Sequence, residues 1–115
     1  MPLQPINTVA LDGYDISVHG FQTQYFCVWD TDLVGIEVVV QGGVAPTGTF
    51  IIEVSCEELG PANFSQIISE DVSITDNSLI IWNLSGITYN WVRVVYNRTS
   101  GSGEAIVIFN KKTFK

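Results

Sequence analysis

Seven aromatic side chains with polar edges are the most conspicuous chemical groups in this 115-residue chain: Trp29, Trp82, Trp91, Tyr14, Tyr25, Tyr89 and Tyr96. A flat aromatic face stacks on a sugar ring while its N–H or O–H takes a hydrogen bond. The competing use of such residues is to fill a core or a subunit contact, where aromatics dominate burial. Arg93 lies between Trp91 and Val95 in a stretch of alternating residues. Its planar guanidinium suits a cross-strand carboxylate such as Glu53 or Glu37, or the face of Trp91. Trp29, Trp91 and Arg93 are therefore the candidate binding residues, and a glycan is the ligand class they suit.

Groups that break bonds are scarce. His19 is the only histidine and falls before Gly20 at an exposed alternation position, where a surface imidazole is a simpler reading than a general base. The chain has no Gly-x-Ser-x-Gly elbow to carry a nucleophile and no tight cluster of His and Cys to hold a metal. Asp30 with Asp32, and Asp12 with Asp15, sit in turn-like stretches, where Asp commonly caps its own backbone. Glu57 and Glu58 are adjacent, so on a strand they point to opposite faces. Cys27 and Cys56 lie in apolar runs, where a free thiol behaves as a small hydrophobe, and their pairing is left open. The expectation is a protein that is not an enzyme and needs no cofactor or metal.

The elements that must position these residues read as strands. Fourteen Val and thirteen Ile stand against six Leu and four Ala, and β-branched side chains favour a pleated, half-buried surface. Period-two alternation recurs at Val34, Ile36, Val38 and Val40, at Phe50, Ile52, Val54 and Cys56, at Val92, Val94 and Tyr96, and at Ala105, Val107 and Phe109. Turn signals at Asp12-Gly13, Gly42-Gly43, Pro46 with Gly48, Gly60-Pro61, Asp76-Asn77, Gly86 and Ser100–Gly103 separate the runs. The pattern predicts strands over 6–11, 13–18, 23–30, 34–41, 48–57, 66–74, 79–84, 89–98 and 104–111. A short helical turn is admitted between Glu57 and Ser65. Ser100–Gly103 reads as a flexible hairpin joining the last two strands. The fold class is all-β, an antiparallel β-sandwich or jelly-roll-like domain of eight to nine strands spanning residues 1–115.

Two runs are apolar on both faces: Tyr25 to Trp29 and Ile106 to Phe109. A sandwich this small should keep one wet face per sheet, so Tyr25, Cys27, Trp29, Ile106 and Ile108 are expected at a subunit contact. The partner implied is a second copy of the chain in a closed homo-oligomer, with a trimer favoured.

Charge points the same way. Charged residues make up only 15% of the chain, against roughly 25% for an average soluble domain. All five bases, Arg93, Arg98, Lys111, Lys112 and Lys115, fall within residues 93–115, while residues 1–92 hold eleven acids and no base. Most of the chain cannot present the broad basic face that nucleic acid requires. No run is apolar and long enough to span a bilayer, and the start lacks the basic and apolar regions of a secretory signal. Nucleic acid and membrane are thus not expected partners. The terminal Lys111-Lys112-Thr113-Phe114-Lys115 reads as a short basic tail able to dock on an acidic neighbour.

The segment Trp91-Val92-Arg93-Val94-Val95-Tyr96-Asn97-Arg98-Thr99-Ser100-Gly101-Ser102-Gly103, followed by an apolar strand, Phe109 and Lys111, resembles the C-terminal hairpin of small β-sandwich structural proteins of bacteriophages. Gly48 to Ser55 is similar to their Gly-Thr-Phe strand, and Gln24 to Trp29 falls where such chains have another strand. The resemblance implies a virion component without enzymatic activity, a capsid-decoration, head-fibre or tail-associated module made in the bacterial host cytoplasm. Its partners would be other virion proteins. A carbohydrate- or receptor-binding module is the alternative.

Overall fold

The computed structural model describes residues 4–113 apart from Asp30, Leu59 and residues 74–77. These residues form one antiparallel sheet of seven strands: β1 (Gln4–Asp15), β2 (Phe21–Gln22), β3 (Phe26–Cys27), β4 (Leu33–Ser55), β5 (Ser65–Ser73), β6 (Ser78–Ser85) and β7 (Trp91–Thr113). No helix occurs among them. The class is all-β and the arrangement sandwich-like.

Two strands explain how one sheet makes two layers. β4 and β7 are each 23 residues long. At ~3.3 Å per residue, either would reach ~75 Å if straight, yet the longest dimension of the molecule is 43 Å. Both bend sharply. They stay paired from Leu33↔Lys112 to Ser55↔Trp91, with register shifts confined to Gln41–Gly48. The first half of β4 and the second half of β7 form one layer with β6 and β1. The other halves form the second layer with β5, β2 and β3. Strands that cross between layers through bulges are a known way of closing a sheet sandwich.

This corrects the reading of Ser100–Gly103 as a hairpin. The two halves of β7 do not pair with one another, because each pairs with β4. The Gly-Ser segment is a corner, and the Gly42–Thr47 corner of β4 lies against it. Close approach of two backbones explains the glycines. A Cβ on Gly101, whose φ is +88°, would collide with the Ala45 carbonyl, and one on Gly48 would lie 2.6 Å from the Tyr96 ring. Arg98 pins the corner by donating from Nη2 to the Gly101 carbonyl at 2.7 Å.

The corner also explains a change of phase. Inward residues of β4 keep even numbers through the bend, Val34 to Val40 and then Phe50 to Val54. Those of β7 switch from Val92, Val94 and Tyr96 to Ala105, Val107 and Phe109. Ladder partners number 145 in total in one layer, as at Leu33↔Lys112, and 146 in the other, as at Ser55↔Trp91. One extra residue therefore shifts the register, and a shift of one exchanges the faces.

Other expected boundaries move for local reasons. Segments 6–11 and 13–18 join in β1, because Asp12-Gly13 makes a bulge opposite Val107–Ala105 rather than a turn. Segment 23–30 reduces to the two-residue strand β3, and a second two-residue strand, β2, precedes it along the same edge of β7. The Glu57–Ser65 stretch holds no helical turn among its described residues. Lys111 and Lys112 are not a solvated tail: both are half-buried and paired in β7, with Ile6 and Pro5 opposite. Asp76-Asn77 and Lys115 lie outside the described residues, as does Asp30 of the Asp30–Asp32 pair.

The core lies between the layers. Phe50 packs against Tyr96 in a tilted pair at 4.6 Å and Phe26 stacks on Phe109 at 4.8 Å, surrounded by buried Val28, Ile36, Val38, Ile52, Val94 and Val107. Trp82 belongs here too, at 7% exposure.

Candidate functional site

The outer face of the second layer gathers the polar and aromatic groups. Glu53 of β4 and Arg93 of β7 are ladder partners, so alternation sends both side chains outward together. Arg93 Nε donates to Glu53 Oε1 at 2.8 Å. The guanidinium carbon lies 3.8 Å from the centre of the Phe64 ring. The partner expected across strands is therefore Glu53 and not Glu37, which faces out from the other layer, and the ring beneath the cation is Phe64 rather than Trp91.

Phe64 reaches this position because the irregular segment after β4 is tied down at several points. Asn90 donates from Nδ2 to the carbonyls of Cys56 and Glu57 at 3.1 Å each. Trp91 donates from Nε1 to the carbonyls of Glu57 at 2.8 Å and Glu58 at 3.2 Å. The Glu57 carboxylate accepts the backbone N–H groups of Asn63 at 2.6 Å and Ala62 at 2.7 Å. Those bonds favour the charged form and hold the Glu57 pKa below its ordinary value. One carboxylate thus folds the segment back so that Pro61 and Phe64 stand beside Arg93.

The edge of β7 supplies the opposite wall. Thr23 N–H donates to the Val94 carbonyl at 2.9 Å, and Thr23 Oγ1 accepts the Val94 N–H at 3.0 Å. A side-chain oxygen here replaces the missing strand carbonyl between β2 and β3. Gln22, Gln24 and Tyr25 then border a cleft of about 520 Å³ whose remaining walls are Thr23, Pro61 and Arg93. Tyr25 stands edge-on to Trp91 at 5.1 Å and 6.2 Å from Phe64.

Of the three candidate binding residues, Arg93 lines this cleft. Trp91 supports it from behind, half-buried, with its N–H spent on the segment carbonyls. Trp29 is elsewhere: it is 63% exposed after β3 and joins none of the ring contacts among the described residues. Gln22, Gln24, Pro61 and Phe64 were not singled out from the sequence. The sequence signal nearest to them is the Gly60-Pro61 break. His19 is exposed in the bend between β1 and β2. Cys27 and Cys56 are both free thiols.

The residues expected at one contact divide between two surfaces. Tyr25 and Cys27 belong to the edge of the second layer, with exposed Trp29 just beyond β3. Ile106 and Ile108 face outward from the first. There the ladders align Leu79, Val39 and Ile106 in one row and Ile81, Glu37, Ile108 and Val9 in the next. Leu79, Ile81 and Val9 are 57%, 53% and 56% exposed. A sheet face expected to be wet is here largely apolar.

No protein-family model matches the chain, and no curated protein matches it. Solved structures do. A chain in the structure of infectious bursal disease virus, Gx strain, matches 98% of this chain at a TM-score of 0.66 and 15% identity. The Gt strain matches 96% at 0.64 and 14%. The SPBc2 prophage-derived protein YomS matches 98% at 0.62 and 9% identity. The fold is one found in viruses. This chain spans 33% and 32% of the two viral chains but 96% of YomS. At such identities the likeness is one of fold.

Proposed function

We propose that this protein is a non-enzymatic structural component of a bacteriophage particle, a capsid-decoration, head-fibre or tail-associated module that works by assembling with copies of itself and with other virion proteins. The observation that carries the reading is the end-to-end fold likeness to a prophage-derived protein, with the same fold recurring as one third of a viral chain. The apolar outer face of the β6–β4–β7–β1 layer supports it. Five aliphatic side chains flank a single acid there in the two ladder rows besides Val9, a patch of the kind that marks a protein contact. A closed ring of identical copies, three being the order favoured, buries such a face on every subunit.

Size-exclusion chromatography with light scattering tests the assembly. The intact chain runs as a discrete oligomer at micromolar concentration, and Leu79→Lys with Ile81→Lys converts it to a folded monomer. A wild-type chain that is strictly monomeric removes the assembly reading. Mass spectrometry of purified virions tests the location, and absence of the chain from the particle overturns it.

A further inference from the structure

We propose that the cleft beside Arg93 binds a neutral saccharide. The guanidinium there is already oriented. Nε is held by Glu53, the cation lies on Phe64, and among the described residues neither terminal nitrogen takes part in a hydrogen bond. A fixed Arg with unspent N–H groups loses little freedom when it takes a ligand oxygen. Gln22 and Gln24 are exposed along the same rim. Each carboxamide offers two donors and an accepting oxygen. Tyr25 is 46% exposed and its ring is braced edge-on by Trp91 at 5.1 Å, so it presents a supported apolar surface beside these polar groups.

The mixture decides the ligand class. A hydroxyl both donates and accepts, and a sugar ring carries several hydroxyls around an apolar face. Amides that also do both, next to an aromatic ring, match that pattern. An anion is disfavoured because Glu53 neutralises Arg93 and residues 1–92 carry eleven acids and no base. The volume of about 520 Å³ falls within the ~300–1,000 Å³ typical of small-ligand sites. Trp29, the exposed indole, is not part of this site. The proposal is independent of assembly, which uses the outer face of the other layer.

A glycan array of neutral and acidic oligosaccharides, followed by titration of the full chain with the best neutral hit, tests the proposal. Neutral glycans are expected to bind, and Tyr25→Ala, Gln24→Ala and Arg93→Lys each to weaken binding about tenfold. Trp29→Ala is expected to leave binding unchanged. Tyr25 and Gln24 are exposed, so their variants melt with the wild type, and thermal unfolding of each separates lost binding from lost fold. Three results overturn the proposal: no binding on the array, binding of acidic glycans alone, or neutral binding that survives Tyr25→Ala and Gln24→Ala but is lost in Trp29→Ala.

Discussion

At the scale of single residues, the outward pair Glu53–Arg93 shows what alternation can and cannot reveal. Residues on neighbouring antiparallel strands meet once both face the same way, so a partner for Arg93 was legible from the strand pattern alone. Choosing between Glu53 and Glu37 needed the register, which depends on how β4 and β7 bend. Phe64 was invisible because it lies in a segment without periodicity, positioned by the Glu57 carboxylate rather than by a ladder. The pair itself is a modest stabiliser, since its side chains keep 20% and 22% of their exposure and water screens them. Glu53→Gln is expected to cost less than about 1 kcal/mol in urea unfolding. Gly101→Ala should cost more, about 1–3 kcal/mol, because φ is +88° and the added methyl meets the Ala45 carbonyl. Equal midpoints for Gly101→Ala and wild type would show that the corner yields without strain.

At the scale of elements, each strand half was readable and its connection was not. The runs at 34–41, 48–57, 89–98 and 104–111 all appear, yet as halves of two strands. A Gly-Ser stretch between apolar runs serves a hairpin or a corner equally well in local terms. What decides is the opposing Gly42–Thr47 bend, a contact between residues about 55 positions apart. The 56–64 segment follows a different logic, in which one ionised side chain organises the backbone. Glu57 has its pKa lowered by the N–H groups of Asn63 and Ala62. A lowered carboxylate pKa stabilises the folded form fully above the unfolded value, about 4.3, and that contribution is lost as pH falls through the folded value. Acidification should therefore loosen the segment. The amide resonances of Ala62 and Asn63 are expected to titrate together below that pH, and Glu57→Gln to abolish the titration. Amides that stay fixed through the acid range while Glu57 protonates would mean that the segment is held by Asn90 and Trp91 alone.

At the scale of the whole molecule, β4 and β7 make every part of the structure depend on every other. Each runs through both layers, so neither layer has a centre of its own. Such long-range pairing predicts one cooperative unfolding transition and folding on the millisecond-to-second scale. It also changes what the concentration of bases near the end of the chain means. As a loose tail, Lys111 to Lys115 would be removable with only a change in attachment to acidic surfaces. Instead, Lys111 and Lys112 are ladder partners of Ile6, Pro5, Val34 and Leu33, and Lys111 Nζ donates to the Cys27 carbonyl at 3.5 Å. Their backbone closes the far end of the first layer between β1 and β4. Deleting residues 111–115 should thus abolish the cooperative transition seen by circular dichroism. Lys111→Gln with Lys112→Gln should keep it, because the ladder needs the backbone rather than the charge. If the truncated chain melts like the full one, that end of the sheet adds nothing to the fold, and the basic cluster returns to being a surface feature.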